Sequence, residues 1–140
     1  MLKKLKFALI LIITSILLSQ CAGTGTKTIP TISSNSGGTN LYFKRPSAFI
    51  AGGVLTSVIV NGSEIGKLGN GEFIQHRINS GNFTVKLKAT GLGGIGMGGD
   101  SISGTGSNEG KFFYIISAKQ GLFSSKFQIQ ETTENGFKNN

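Results

Sequence analysis

The chain is poor in the residues from which catalytic and metal sites are built. Its 140 residues include one cysteine, one histidine, six acidic side chains and no tryptophan. A single cysteine forms no internal disulfide, and one cysteine with one histidine falls short of a zinc ligand set. The acids Glu64, Glu72, Asp100, Glu109, Glu131 and Glu134 are scattered, without the spacing of a calcium loop or a two-carboxylate acid–base site. No nucleophile-elbow sequence surrounds a serine. Arg45 and Arg77 are the only arginines, so no arginine-rich run points to nucleic acid. The sequence therefore assigns no catalytic residue, metal or cofactor.

What is abundant is glycine, at 22 residues, spaced to cut short β segments. Between Val58 and Ala89, runs of Val, Ile and Phe are interrupted at Asn61-Gly62, Gly69-Asn70-Gly71 and Ser80-Gly81. Asn-Gly suits a type I′ hairpin turn, in which both central residues need positive φ. Read as hairpins, the three turns join four strands into a meander. A turn at Ser80-Gly81 pairs Ile78 with Phe83, His76 with Val85 and Ile74 with Leu87, an inward set that is apolar apart from His76. The opposite face carries Phe73, Gln75 and Arg77 across from Thr84, Lys86 and Lys88, largely polar and basic. A one-residue slip would bury Arg77 and Gln75, so period-2 alternation favours this register. Leu68 falls in step with Ile65 if Gly66 forms a bulge. His76, among apolar neighbours, reads as a core or rim histidine.

Met1 to Gln20 has a lysine-bearing start and an apolar run from Phe7 to Leu18. That run is short for a membrane span, which needs roughly 20 residues, and the pattern is that of a secretory signal peptide. Removing Lys3, Lys4 and Lys6 with it lowers the net charge from +8 to +5, which reads either as a solvated, slightly basic surface or as an excess that favours anionic envelope polymers or lipid headgroups at low salt. The lone Cys21 stands at the end of the signal. Residues 22–40 are rich in Thr, Ser, Gly and Asn and read as a flexible tether spanning about 25 Å. Leu41 to Arg45 is a short strand that Pro46 ends or confines to an edge. Lys111 to Ala118, apolar on both faces, reads as a central strand, and Ser124 to Glu131, which alternates, as an edge strand. Thr132 to Asn140 is polar apart from Phe137 and is expected to fray. The expectation is an all-β chain: a small antiparallel β-sandwich of about seven strands over residues 41–131.

Gly91 to Gly110 contains Gly91-x-Gly93-x-x-Gly96, a formal match to a dinucleotide fingerprint. That motif requires a helix to follow, and the further glycines here oppose one. The segment reads as a mobile loop between strands; the sharper alternative is that Leu92, Ile95 and Met97 form an adaptable apolar contact for a partner or membrane.

Leu18-Ser19-Gln20-Cys21 resembles the lipobox of bacterial lipoproteins. This implies a diacylglycerol on the Cys21 thiol and Cys21 as the new N-terminus. Ala22, in place of the Asp that tends to retain such proteins at the inner membrane, implies an outer-membrane address facing the periplasm. A second resemblance is to a domain-of-unknown-function family of bacterial lipoproteins. It is carried by Tyr42-Phe43-Lys44-Arg45-Pro46-Ser47, by Val58 to Leu68 with Asn61-Gly62 and Ile65-Gly66, by Gly71 to Phe73, by Ser80-Gly81 to Val85 and by Gly110-Lys111 to Tyr114. Ser80, where the family usually has proline, and the long glycine-rich segment depart from it. The hairpins also resemble PEGA and carboxypeptidase-regulatory modules, which present surfaces in cell envelopes and are not enzymes.

These readings give three functional classes. The first is a non-enzymatic envelope lipoprotein, held in a bilayer through acylated Cys21 and presenting its sandwich to another envelope protein. In the second, Arg77, Lys86 and Lys88 on a basic sheet face hold an anionic glycan or lipid headgroup. Arg45, fixed before Pro46, is a further candidate for binding a carboxylate or phosphate, against the alternative that it bonds carbonyls of the following loop. The third and weakest is an envelope hydrolase built around His76.

Overall fold

The computed structural model describes residues 22–33, 37–122 and 124–140. The expected signal peptide and Cys21 lie outside the described residues, as do residues 34–36 of the expected tether. The strands are β1 (Thr39–Arg45), β2 (Leu55–Val60), β3 (Ser63–Leu68), β4 (Glu72–Ile78), β5 (Gly81–Thr90), β6 (Gly98–Gly99), β7 (Ser101–Gly106), β8 (Lys111–Gln120) and β9 (Ser125–Thr132), followed by a short helix α1 (Glu134–Asn139). A five-stranded sheet ordered β4-β1-β8-β9-β6 packs on a four-stranded sheet ordered β3-β2-β5-β7. The chain is an all-β sandwich. It is not wholly antiparallel, because β1 runs parallel to β8 and β6 parallel to β9.

The hairpin at Asn61-Gly62 forms as the turn chemistry requires, with φ of 49° and 83° at its two central residues joining β2 to β3. The register slips between Val58 and Ile59, leaving Ile65 as the extra residue beside Gly66. That bulge lets Leu68 return to the core, where it is fully buried.

The expected four-strand meander does not form. β4 pairs with β1, Leu41 opposite His76 and Phe43 opposite Ile74, and β5 pairs with β2 and β7. The chain thus leaves the four-stranded sheet at Gly69-Asn70-Gly71 and returns at Ser80-Gly81, and both turns are arches between sheets. Facing is preserved although partners change, because alternation depends only on the strand's own period. Ile74, Phe83, Val85 and Leu87 are all buried, and Ile78 packs against the same core.

That main core also takes Leu41 and Phe43 from β1, Val58 and Val60 from β2, Tyr114 and Ile116 from β8, and Phe127 and Ile129 from β9. A second cluster lies on the outer face of the five-stranded sheet: Tyr42, Phe73, Phe113 and Phe137. It explains why β1 is buried along its whole length. β1 is a central strand, and Pro46 ends it without confining it to an edge. Phe73, expected on a solvated face, is covered by the tail. The tail does not fray. Thr133 caps α1 by accepting from the Gly136 amide at 3.1 Å, Lys138 pairs with Glu134 at 2.6 Å one turn on, and Phe137 is fully buried.

Two further expectations change. The glycine-rich segment holds a single 3-10 turn at Leu92–Gly94, then β6 and β7, and β7 pairs with β5 over Gly81 to Lys86. Gly99 comes so close to the Leu87 carbonyl that the bend between β6 and β7 suits a residue without a Cβ. The start of the expected tether is a strap. The Thr24 amide donates to the Lys67 carbonyl of β3 at 2.8 Å, and Thr26 exchanges backbone hydrogen bonds with Phe73 of β4 at 2.9 and 2.8 Å. Bonded to an edge of each sheet, the strap covers strand edges that would otherwise be open.

Candidate functional site

The basic residues expected on one sheet face are separated by the arches. Arg77 lies on the outer face of the five-stranded sheet, where it donates to the Gly37 carbonyl at 2.7 Å. Lys86 and Lys88 lie on the outer face of the four-stranded sheet, on the opposite side of the molecule. The structure does not bring the three together, because β4 and β5 belong to different sheets. The four-stranded sheet supplies a different neighbour. Lys67 and Lys88 both stand opposite Ser57, flanking it in one row.

Arg45 is a buried residue, 2% exposed. β1 alternation points it inward, and its guanidinium donates to the carbonyls of Ala51, Val54 and Leu68. It also lies 4.7 Å from the centre of the Phe127 ring. Burial lowers its pKa and the nearby Glu72 carboxylate opposes that shift. The guanidinium ties the segment after Pro46 to the ends of β2 and β3, the carbonyl-bonding alternative, and is not presented to solvent. Lys44, on the other face, is also buried. It donates to the Phe137 carbonyl at 2.8 Å, placing a cation at the C-terminal turn of α1 where the helix dipole favours it. Burial lowers its pKa.

His76 is half-buried on β4, and burial lowers its pKa. Among the described residues no group of His, Cys, Asp and Glu side chains is placed to hold a metal ion, and no carboxylate bonds the imidazole. A groove of about 580 Å³ between the strap and β4 is lined by Thr24, Thr26, Thr28, Ile29 and Phe73, without a charged group.

The unusual surface is one end of the sandwich. β1, β3, β5 and β8 end there, and β2, β4 and β9 begin there, so the connections 46–54, 69–71 and 91–97 and residues 121–122 cluster together. Among the described residues five large apolar side chains are exposed, and four of them are on these loops: Phe49 at 101%, Leu122 at 96%, Ile95 at 80% and Ile50 at 53%. Ile95 is one of the residues expected to form an apolar contact. Met97 instead turns inward onto the core, lining a cavity of about 270 Å³ with Ile50 and Val54. Leu92 opens the 3-10 turn in the same loop.

Lysines surround this end on both faces. Lys119 and Lys126 are directly opposite one another, near the ends of β8 and β9, and Lys67 and Lys88 lie on the other sheet. Among the described residues the ion pairs Lys27–Glu72 and Lys138–Glu134 involve none of them. The carboxylates are spread along the molecule. Glu64 and Glu109 belong to the far end, Glu131 stands mid-sheet opposite Tyr114, Asp100 adjoins Leu87 beside Lys88, and Glu72 accepts from the Gly69 amide at 2.8 Å and pairs with Lys27 at 3.5 Å. Sequence reasoning missed Phe49, Ile50 and Leu122, although Phe49-Ile50 between Pro46-Ser47 and Gly52-Gly53, and Leu122 after Gly121, put apolar residues where turn chemistry predicts exposure.

Comparison of the chain with models of known protein families and with curated protein sequences gives no match.

Proposed function

We propose that the chain is a non-enzymatic lipoprotein of a bacterial envelope, anchored through a diacylglycerol on Cys21 and presenting its sandwich to another envelope component. The carrying observation is the placement of the only cysteine directly after a signal-peptide pattern, in a lipobox-like sequence. Two or three acyl chains, at roughly 0.8 kcal/mol per buried methylene, make such an anchor permanent on a cellular timescale. The resemblance to lipoproteins of unknown function supports the same reading and adds an outer-membrane address. The half-buried His76, which lacks a carboxylate partner among the described residues, gives a hydrolase little to work with.

The test is the Cys21→Ala variant of the full chain beside the native protein in cells fed labelled fatty acid. The reading expects label on the native protein only, and movement of the variant out of the membrane fraction. A native protein that takes up no label, with a variant still in the membrane fraction, would refute it.

A further inference from the structure

We infer that the loop end of the sandwich is a bilayer-docking tip, inserting Phe49, Ile50, Ile95 and Leu122 at the headgroup boundary and setting Lys67, Lys88, Lys119 and Lys126 against anionic phosphates. The inference deepens the lipid-anchored reading and rests on it for the anchor, though not for the chemistry of the loops.

The form of the apolar surface selects the occupant. Phe49 and Leu122 are almost wholly exposed, and with Ile50 and Ile95 they rise from three separate loops. A protein partner would need a complementary contiguous surface of roughly 800 Å² on each side. A fluid bilayer accommodates each projecting side chain separately. Apolar residues ringed by lysine are the composition by which amphipathic elements lie in the interface of anionic membranes.

Charge placement agrees. Four lysines ring the tip beside two carboxylates, Glu72 and Asp100, whereas Glu64 and Glu109 lie at the far end with Arg77 and Lys111, so the tip is the more positive end of the sandwich. Lys119 faces Lys126 across the ladder, a like-charge pair that is unfavourable in isolation and that an anionic surface relieves.

The course of the chain supplies an independent observation. Gly23 packs against Gly69 and Glu72 at the tip end, and the strap runs from there along β4 towards Gly37, beside Arg77 near the far end. Cys21 is bonded to Ala22, so an acyl group on it would be delivered at the same end as the exposed loops.

The absence of tryptophan permits a direct test. Full-length protein carrying Phe49→Trp, and separately Leu122→Trp, is purified from membranes and reconstituted in phosphatidylethanolamine–phosphatidylglycerol vesicles containing acyl-brominated lipid. Thr105→Trp, exposed on β7 near the far end, is the control. The expected result is a blue shift and bromolipid quenching at both tip positions, with neither at the control. It should weaken when phosphatidylcholine replaces phosphatidylglycerol, or in the Lys119→Gln, Lys126→Gln double variant. Equal emission at tip and control positions overturns the inference. A tip blue shift without bromolipid quenching assigns the tip to a protein partner and also overturns it. Equal quenching with and without anionic lipid removes the lysines from the inference. Fatty-acid labelling of the same preparations separates the two claims: label without tip quenching leaves the anchor and refutes docking, and tip quenching without label does the reverse.

Discussion

Replacement of Phe137 by alanine distinguishes a packed tail from a frayed one. Phe137 is fully buried, with ring centres 5.4 Å from Phe113, 5.8 Å from Phe73 and 6.2 Å from Tyr42. Truncating such a side chain costs about 3–5 kcal/mol through lost transfer energy and the cavity left behind. Aromatic pairing adds roughly 0.5–1.5 kcal/mol per favourable contact. Against this, α1 is only six residues long and can shift into the space, so the lower bound of about 3 kcal/mol is the expected loss. Urea unfolding is the assay: the midpoint should fall with little change in slope, because the same surface is exposed on unfolding. Phe137→Leu, which retains most of the volume, should lose less than half as much. Asn139→Ala, at an exposed position of the same helix, should fall within about 0.5 kcal/mol of the native protein. If Phe137→Ala unfolds at the same urea concentration as Asn139→Ala, the second core contributes nothing and the tail is only draped on the sheet.

Other consequences are open to equally simple measurement. Arg45→Met leaves the carbonyls of Ala51, Val54 and Leu68 without their donor, each at about 1–3 kcal/mol if buried and partly offset by removing a buried charge; a net loss of about 3 kcal/mol in urea unfolding is expected, and native stability would contradict it. His76 holds its folded pKa below the ordinary value through burial, so its contribution is present above about pH 6.5 and is lost as pH falls through the folded value. His76→Gln should flatten the stability profile over that interval, and an unchanged acid slope would count against the assignment. At Gly99 an added Cβ would collide with the Leu87 carbonyl, so Gly99→Ala should cost about 1–3 kcal/mol by forcing β5 and β6 apart. Thr26→Pro removes the amide donor to Phe73 and should raise amide exchange at Phe73, whereas a bound strap is unnecessary if protection there is unchanged.

Local structure was legible because it depends on local chemistry. Asn61-Gly62 specified its own dihedral angles, Gly66 marked a bulge, and period-2 alternation placed Ile74, Phe83, Val85 and Leu87 inward without reference to any partner. Partner choice was not legible. At Ser80-Gly81 only Gly81 takes a left-handed φ, of 125°, and the same two residues that read as a hairpin carry the chain across the sandwich. The clue was distributed over distant segments. Tyr42 and Phe113 made strands β1 and β8 apolar on both faces, and only the tail, through Phe137, held an aromatic to cover them. The loop tip was hidden for a related reason. Lys67, Lys88, Lys119 and Lys126 come from four strands and acquire a common direction only once those strands are ordered.

The strap changes what a lipid on Cys21 would mean. A free tether of residues 22–40 would let the sandwich stand off and turn, and any surface would meet the bilayer with similar frequency. With Thr24 and Thr26 bonded to β3 and β4, the chain enters the domain at the tip and the spacer is reduced to its first residue or two. Two peptide units reach at most about 7 Å, less than the thickness of the sandwich itself at about 10 Å between sheets. With a lipid on Cys21, orientation would be set by where the strap begins, and the loop tip would be the end brought to the membrane. An apolar tip on a freely tethered domain is a hazard for self-association. At the end nearest an acyl anchor, were Cys21 to carry one, the same side chains would meet lipid before they met one another.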